Sequence, residues 1–142
     1  MGTAPVGAWL AVTGSFDSWV PIVLGSAVGL WVAGFDTVYA LQDREFDRKE
    51  GLFSFPAKYG EKAALQMAAG LHVAAAGLLG LFGWMAGFGW RYGASWAAVC
   101  VVLWMESRWS KVEGDRMKGF FQANAVVSLL VLGGIVWEIF GR

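Results

Sequence analysis

Residues 34–51 read Gly34-Phe-Asp-Thr-Val-Tyr-Ala-Leu-Gln-Asp-Arg-Glu-Phe-Asp-Arg-Lys-Glu-Gly51. The segment begins as the end of a long apolar run and finishes as a dense mixture of both charge signs. Taken as one continuing helix, with about 100° of turn per residue, it carries Asp36, Asp43 and Asp47 on one face, within about 40° of each other. Glu50 falls near the same stripe, and Tyr39 lies one turn from Asp36. Like charges at i,i+4 destabilise a helix by a few tenths of a kcal/mol in water, and by more near lipid. A divalent cation is the natural counter-charge. Mg²⁺ takes oxygen ligands, keeps some of its waters, and commonly joins one or two carboxylates to a phosphate. Asp43 and Asp47 have the spacing for that. Arg44, Arg48 and Lys49 flank the stripe and could meet phosphate oxygens directly.

The plainer interpretation of a charged segment beside an apolar run is a solvated cap. For Arg44, Glu45, Arg48, Lys49 and Glu50 taken singly, both interpretations stand. Asp36 is different, because it lies within the last turns of the apolar run. Ionisable residues are expensive there and point to function.

Composition identifies the solvent. Of the 142 residues 57% are hydrophobic and only 15% charged, and the mean hydropathy is +0.52. A soluble domain of this length needs more polar surface to cover its core, so the chain belongs in a bilayer. It is long enough for one domain, residues 1–142. The net charge is +0, which leaves no global attraction for nucleic acid. Cys100 is the single cysteine, so no intrachain disulfide can form, and it reads as a small core hydrophobe. Residues 1–15 lack the basic start of a signal peptide and look like the tail of a helix that begins upstream.

Four apolar stretches, residues 19–41, 63–88, 92–105 and 120–140, predict an all-α, multi-pass transmembrane bundle of about four helices. The third is short against the roughly 20 residues of a typical span. Arg44, Arg48, Lys49, Lys58 and Lys62 lie in the first polar loop, and Arg108, Lys111, Arg116 and Lys118 in the third. If four helices alternate, both loops share a side, and only Arg91 and Arg142 fall opposite. The positive-inside rule then makes the acidic loop cytoplasmic. Many of the nine Trp lie near the ends of the apolar runs, as in an interfacial belt. Gly25 with Gly29, Gly83 with Gly87, and the nearby Gly77 and Gly80 predict close helix packing within one bundle.

The segment from Asp36 to Gly51, followed by Ser54-Phe-Pro-Ala-Lys-Tyr-Gly60, resembles the second aspartate-rich motif of the UbiA prenyltransferase superfamily. Its 4-hydroxybenzoate polyprenyltransferase branch, with the menaquinone-pathway members, is the nearest in pattern. Residues 4–14 are similar to the family's preceding helix and loop, and Phe120-Phe-Gln-Ala-Asn124 to the start of its last helix. The resemblance implies Mg²⁺-dependent transfer of a polyprenyl group from polyprenyl diphosphate to an aromatic acceptor, in a prokaryotic inner or plasma membrane. Asp43 and Asp47 would bind the metal, Asp36 would face the polar cavity with them, and Arg44, Arg48 and Lys49 would contact the diphosphate. The first aspartate-rich motif of the family, of the NDxxDxxxD type, has no counterpart here: Asp17 is the sole acid before Asp36. The chain therefore corresponds to the C-terminal half of such a bundle. It is expected to need the N-terminal half as a partner and to be inactive alone.

Other polar residues have simpler roles. His72, in mid-span, reads as one member of an interhelical hydrogen bond. Gln122 and Asn124 read as structural, capping the last helix, with contact to substrate as the alternative. Gly60 reads as the end of a short helix, and Arg116 and Lys118 could reach either a diphosphate or anionic headgroups. Two other functions compete. A non-enzymatic, lipid-binding membrane subunit leaves the spacing of the acids unexplained. A transporter would place its acids near the midplane and not at an interface.

Overall fold

The structure, a computed structural model, describes residues 1–109 and 116–141, with side chains described in 1–106 and 122–141. The side chains of Arg108, Arg116 and Lys118, and all of Lys111 and Arg142, lie outside the described residues. Among the described residues seven helices follow one another: α1 (Ala4–Thr13), α2 (Val20–Tyr39), α3 (Arg44–Glu50), α4 (Phe55–Tyr59), α5 (Glu61–Met85), α6 (Trp90–Trp109) and α7 (Arg116–Phe140).

Local chemistry sets the boundaries. Pro5 and Pro21 stand in the first turns of α1 and α2, where a missing N–H costs nothing. Gly14 ends α1 at φ 71°, and its N–H closes on the Leu10 carbonyl at 2.9 Å. The side chain of Ser54 caps α4 by accepting from the Ala57 N–H at 3.3 Å. Gly60, as its place in the sequence implied, separates α4 from α5. At the far end of α5, Gly87 turns left-handed at φ 66°, and Phe88 N–H returns to the Gly83 carbonyl at 3.0 Å.

α2, α5 and residues Gln122–Phe140 of α7 are long and apolar enough to cross a membrane. α6 has 20 residues, enough for about 30 Å at 1.5 Å per residue. It is not among the three helices that qualify by composition. Its place comes from packing, for it lies antiparallel to both α5 and α7. Tyr92 at its start meets Gly83 and Leu79 near the end of α5, and Glu138 near the end of α7. α2 is likewise antiparallel to α5, since Gly34 meets His72 while Ala27 and Leu79 share a core cluster.

That cluster (Ala27, Leu79, Val99, Leu103 and Val127) draws on all four long helices. A second, Val38 with Ala68, lies between the end of α2 and the start of α5. Lipid tails are as apolar as a protein core, so close backbone approach and shape replace hydrophobic expulsion as the source of cohesion. Four of the glycines expected to pack supply it inside this chain, whereas a Cβ at Gly77 or Gly87 would meet nothing within 4 Å. Gly25 and Gly29 receive Gly2 at the front of α1, Gly80 receives the indole of Trp96, and Gly83 receives the ring of Tyr92.

Hydrogen bonds fasten α6 to α5: Tyr92 Oη donates to the Leu79 carbonyl at 2.8 Å, and Trp96 Nε1 to the Ala76 carbonyl at 2.9 Å. Another joins α6 to α7. The carboxylate side chain of Glu138, only 4% exposed, accepts the backbone N–H of Tyr92 at 3.3 Å. It thereby satisfies one of the amides left over in the first turn of α6. Trp19, Trp84, Trp90 and Trp137 are exposed at this end of the bundle, in the manner of an interfacial belt. Trp90 and Trp137 meet edge to face, centroids 5.5 Å apart.

A candidate acidic site at the other end of the bundle

The end opposite the Trp belt holds residues 34–51. The single helix expected over residues 34–51 is not formed. α2 stops at Tyr39, and two tighter i→i+3 bonds wind it down: Leu41 N–H to the Val38 carbonyl and Gln42 N–H to the Tyr39 carbonyl, both 3.1 Å. A straight continuation would have carried its charged residues beyond the apolar span with nothing to pack on, and isolated helical segments of that length are unstable in water. The turn instead keeps Leu41 against Val38 and Ala68. It sends the chain into α3, which packs on α4, which in turn packs on α5.

The three aspartates therefore do not share one helical stripe. Asp36 projects from the last turn of α2 and is exposed, while its neighbours Thr37 and Val38 are buried. Asp43 stands at the N-terminal boundary of α3, exposed, and Asp47 lies within α3, half-buried. Of the expected spacings, only that of Asp43 and Asp47 survives inside one helical element: the Asp47 N–H bonds to the Asp43 carbonyl at 2.8 Å, keeping the two residues one turn apart. α3 ends on Gly51 at φ 66°, with Leu52 N–H reaching the Asp47 carbonyl at 2.8 Å.

The basic candidates divide. Arg44 is half-buried and lies 4.0 Å from Glu61 at the start of α5, both side chains being about a third exposed (35% and 39%). Arg48 and Lys49 are exposed in the last turn of α3, where cations suit the helix dipole. Lys58 rests its Nζ over the rings of Phe53 and Tyr59, 5.3 Å from each centroid. Tyr39 packs on Phe35, centroids 5.9 Å apart, and stays partly exposed.

Asp43 and Asp47 suit a hard cation that retains waters and is completed by phosphate oxygens. They do not make a closed cage. Among the described residues, no three His, Cys, Asp or Glu side chains converge on one point.

Sequence reasoning missed Glu106, which falls just past the apolar stretch at residues 92–105. It lies inside α6, is 2% exposed, and its Oε2 is 4.0 Å from Nδ1 of His72. The spacing Val99, Leu103, Glu106 continues the buried face of α6 and could have disclosed it. His72 itself is buried between helices, as expected, but its approach to Glu106 is too long for a direct hydrogen bond.

Against known proteins, a sequence profile of the UbiA prenyltransferase family matches residues 1–137. The chain belongs to this family. A 60-residue stretch is 42% identical to a 4-hydroxybenzoate solanesyltransferase from Synechocystis sp. (strain ATCC 27184 / PCC 6803 / Kazusa). The matched stretch is 42% of this chain and 20% of the relative. No solved structure matches. Family membership thus rests on the profile and on this relative, and does not depend on the continuous acidic stripe that the fold replaces with a turn.

Proposed function

We propose that this UbiA-family chain forms the C-terminal half of an aromatic prenyltransferase. Its acceptor would be a 4-hydroxybenzoate-like ring, its donor a polyprenyl diphosphate, and its metal Mg²⁺. The observation that carries the reading is the pair Asp43 and Asp47. They stand one turn apart at the polar end of an apolar bundle, in a chain whose family profile extends over residues 1–137.

In this reading Asp43 and Asp47 hold Mg²⁺ at the interface. When bound, the ion supplies Lewis-acid neutralisation of the departing diphosphate. Asp36 faces the same polar space from the end of α2. Arg48 and Lys49 meet the outer phosphate oxygens as charge-assisted donors. Arg44, already drawn toward Glu61, orders the base of α3. The apolar faces of α2 and α5 shelter the isoprenoid tail and the allylic cation from water. The opposing wall, with its own acidic motif, comes from an N-terminal half. The acidic end faces the cytoplasm of a prokaryotic cell, since Arg44, Arg48, Lys49, Lys58 and Lys62 concentrate there.

The test is binding of Mn²⁺, as a paramagnetic stand-in for Mg²⁺, with inorganic pyrophosphate to the chain in lipid nanodiscs. Wild type is expected to bind both together, and Asp43→Asn with Asp47→Asn to abolish it. Binding that survives the double substitution would remove the assignment. The chain by itself is expected to give no prenyl transfer. Turnover by the purified chain without any partner would overturn the half-site reading.

A further inference from the structure

His72 stands at a junction of three helices. On the α2 side, Gly34 leaves room for the imidazole: a Cβ at Gly34 would fall 2.6 Å from both Cδ2 and Nε2, and 3.2 Å from the Ala68 carbonyl oxygen. The ring also interacts with the backbone of Trp31, one turn earlier in α2. On the α6 side, Glu106 Oε2 lies 4.0 Å from Nδ1. Glu106 Oε2 is buried and makes no direct hydrogen bond among the described residues. A buried acid in an apolar bundle is costly, and its placement behind the imidazole calls for a reason.

The reason lies beside it. A cavity of about 280 Å³ opens next to His72, lined also by Ala69, Val73, Cys100, Leu103 and Trp104. An imidazole bordering that space has room to leave Gly34 unless something polar holds it from behind. Glu106 does so. What the ring holds is the end of α2. Gly34, Thr37 and Val38 are buried, with Val38 on Ala68, and Asp36 projects from the opposite side of the same turn.

We propose that His72, backed by Glu106, is a positioning residue that docks the last turns of α2 onto α5 through the bare face of Gly34, and so fixes where Asp36 is presented. The docking stands by itself. Its relevance to diphosphate binding rests on the function proposed above.

The experiment uses the full chain in nanodiscs on a Cys100→Ser background, with spin labels read by pulsed electron resonance. One label pair, Tyr39→Cys with Trp84→Cys, reports the end of α2 against the far end of α5. A control pair, Trp84→Cys with Leu129→Cys, reports the rest of the bundle. All three native residues are exposed. His72→Ala and Glu106→Ala are expected to broaden or shift the first distance and leave the control unchanged. Glu106→Gln, similar in size and still carrying a carbonyl oxygen, is expected to keep the wild-type distance. Gly34→Ala is expected to displace α2. Adding His72→Ala to it relieves the clash, so the double variant should lie nearer to wild type than Gly34→Ala alone.

An unchanged first distance in both alanine variants overturns the proposal, and so does equal broadening of both pairs. Mn²⁺ with pyrophosphate is titrated into the same samples. Weakened binding in His72→Ala would tie the docking to the acidic site. Failure of wild type to bind counts against the transferase reading, while the distances alone decide the docking.

Discussion

Glu138 offers a stringent test of how the bundle is held together. Its carboxyl group sits near the end of α7 and accepts the Tyr92 N–H at 3.3 Å, in the first turn of α6. The first four amides of any helix lack intrahelical partners, and here lipid replaces the water that could otherwise solvate them. Glu138→Ala removes a buried acceptor and leaves that amide unsatisfied, a penalty of about 1–3 kcal/mol. It also withdraws negative charge from a helix N-terminus, roughly 0.3–1 kcal/mol. The expected loss is therefore about 1.5–4 kcal/mol, since a small cavity is left as well. Glu138→Gln keeps an acceptor oxygen and should lose only about 1 kcal/mol. Equilibrium unfolding by steric trapping in bicelles resolves both values, with tryptophan emission at the Trp90–Trp137 contact as a second signal. If Glu138→Ala lies within about 0.5 kcal/mol of wild type, the amide has another partner and the reasoning fails.

Four further outcomes follow from other positions in the fold. Gly83→Val drives a side chain into the Tyr92 ring and should cost about 1–3 kcal/mol; Gly70→Ala, with nothing within 4 Å of the new Cβ, should stabilise by roughly 0.5–1 kcal/mol, both read in the same unfolding assay. Arg44→Ala should change stability by less than about 1 kcal/mol, because its contact with Glu61 is long and partly solvated; a larger loss in the same measurement would mean the pair is more than a surface ion pair. Gly51→Ala forces an L side chain to φ 66°, costing about 1–2 kcal/mol, and should show as faster amide exchange in α3 while α5 stays protected.

The long helices were legible because lipid imposes one rule on every residue of a span. The stretches read at 19–41 and 63–88 correspond to α2 and α5, and the one at 120–140 to the greater part of α7. The segment 92–105 appeared short because Trp90, Arg91 and residues 106–109 were assigned to loops; in the fold they lengthen α6 at both ends. The acidic stripe failed for a reason that local periodicity cannot express. Nothing between Tyr39 and Asp43 is a helix breaker by type, and the turn is chosen by where Leu41 can remain buried and how the chain must return to α5. Glu106 was hidden by its charge, which outweighed its register with Val99 and Leu103. Asp43 and Asp47 remained readable because their relationship is confined to four residues of one short helix.

The Trp belt has a consequence for the acids at the other end. Trp19 and Tyr39 bracket α2, a run of about 30 Å at 1.5 Å per residue, close to the hydrocarbon depth of a typical bilayer. Indole rings held at one leaflet act as a datum, and the rigid bundle transfers that datum to the opposite leaflet. Longer acyl chains would draw the polar end of α2 toward lipid, whereas shorter ones would tilt α2 or lift that end clear. The height of Asp36 relative to the headgroups is thus a property of acyl length as much as of the polypeptide, and lipid composition becomes a variable that tunes this site from the far side of the membrane.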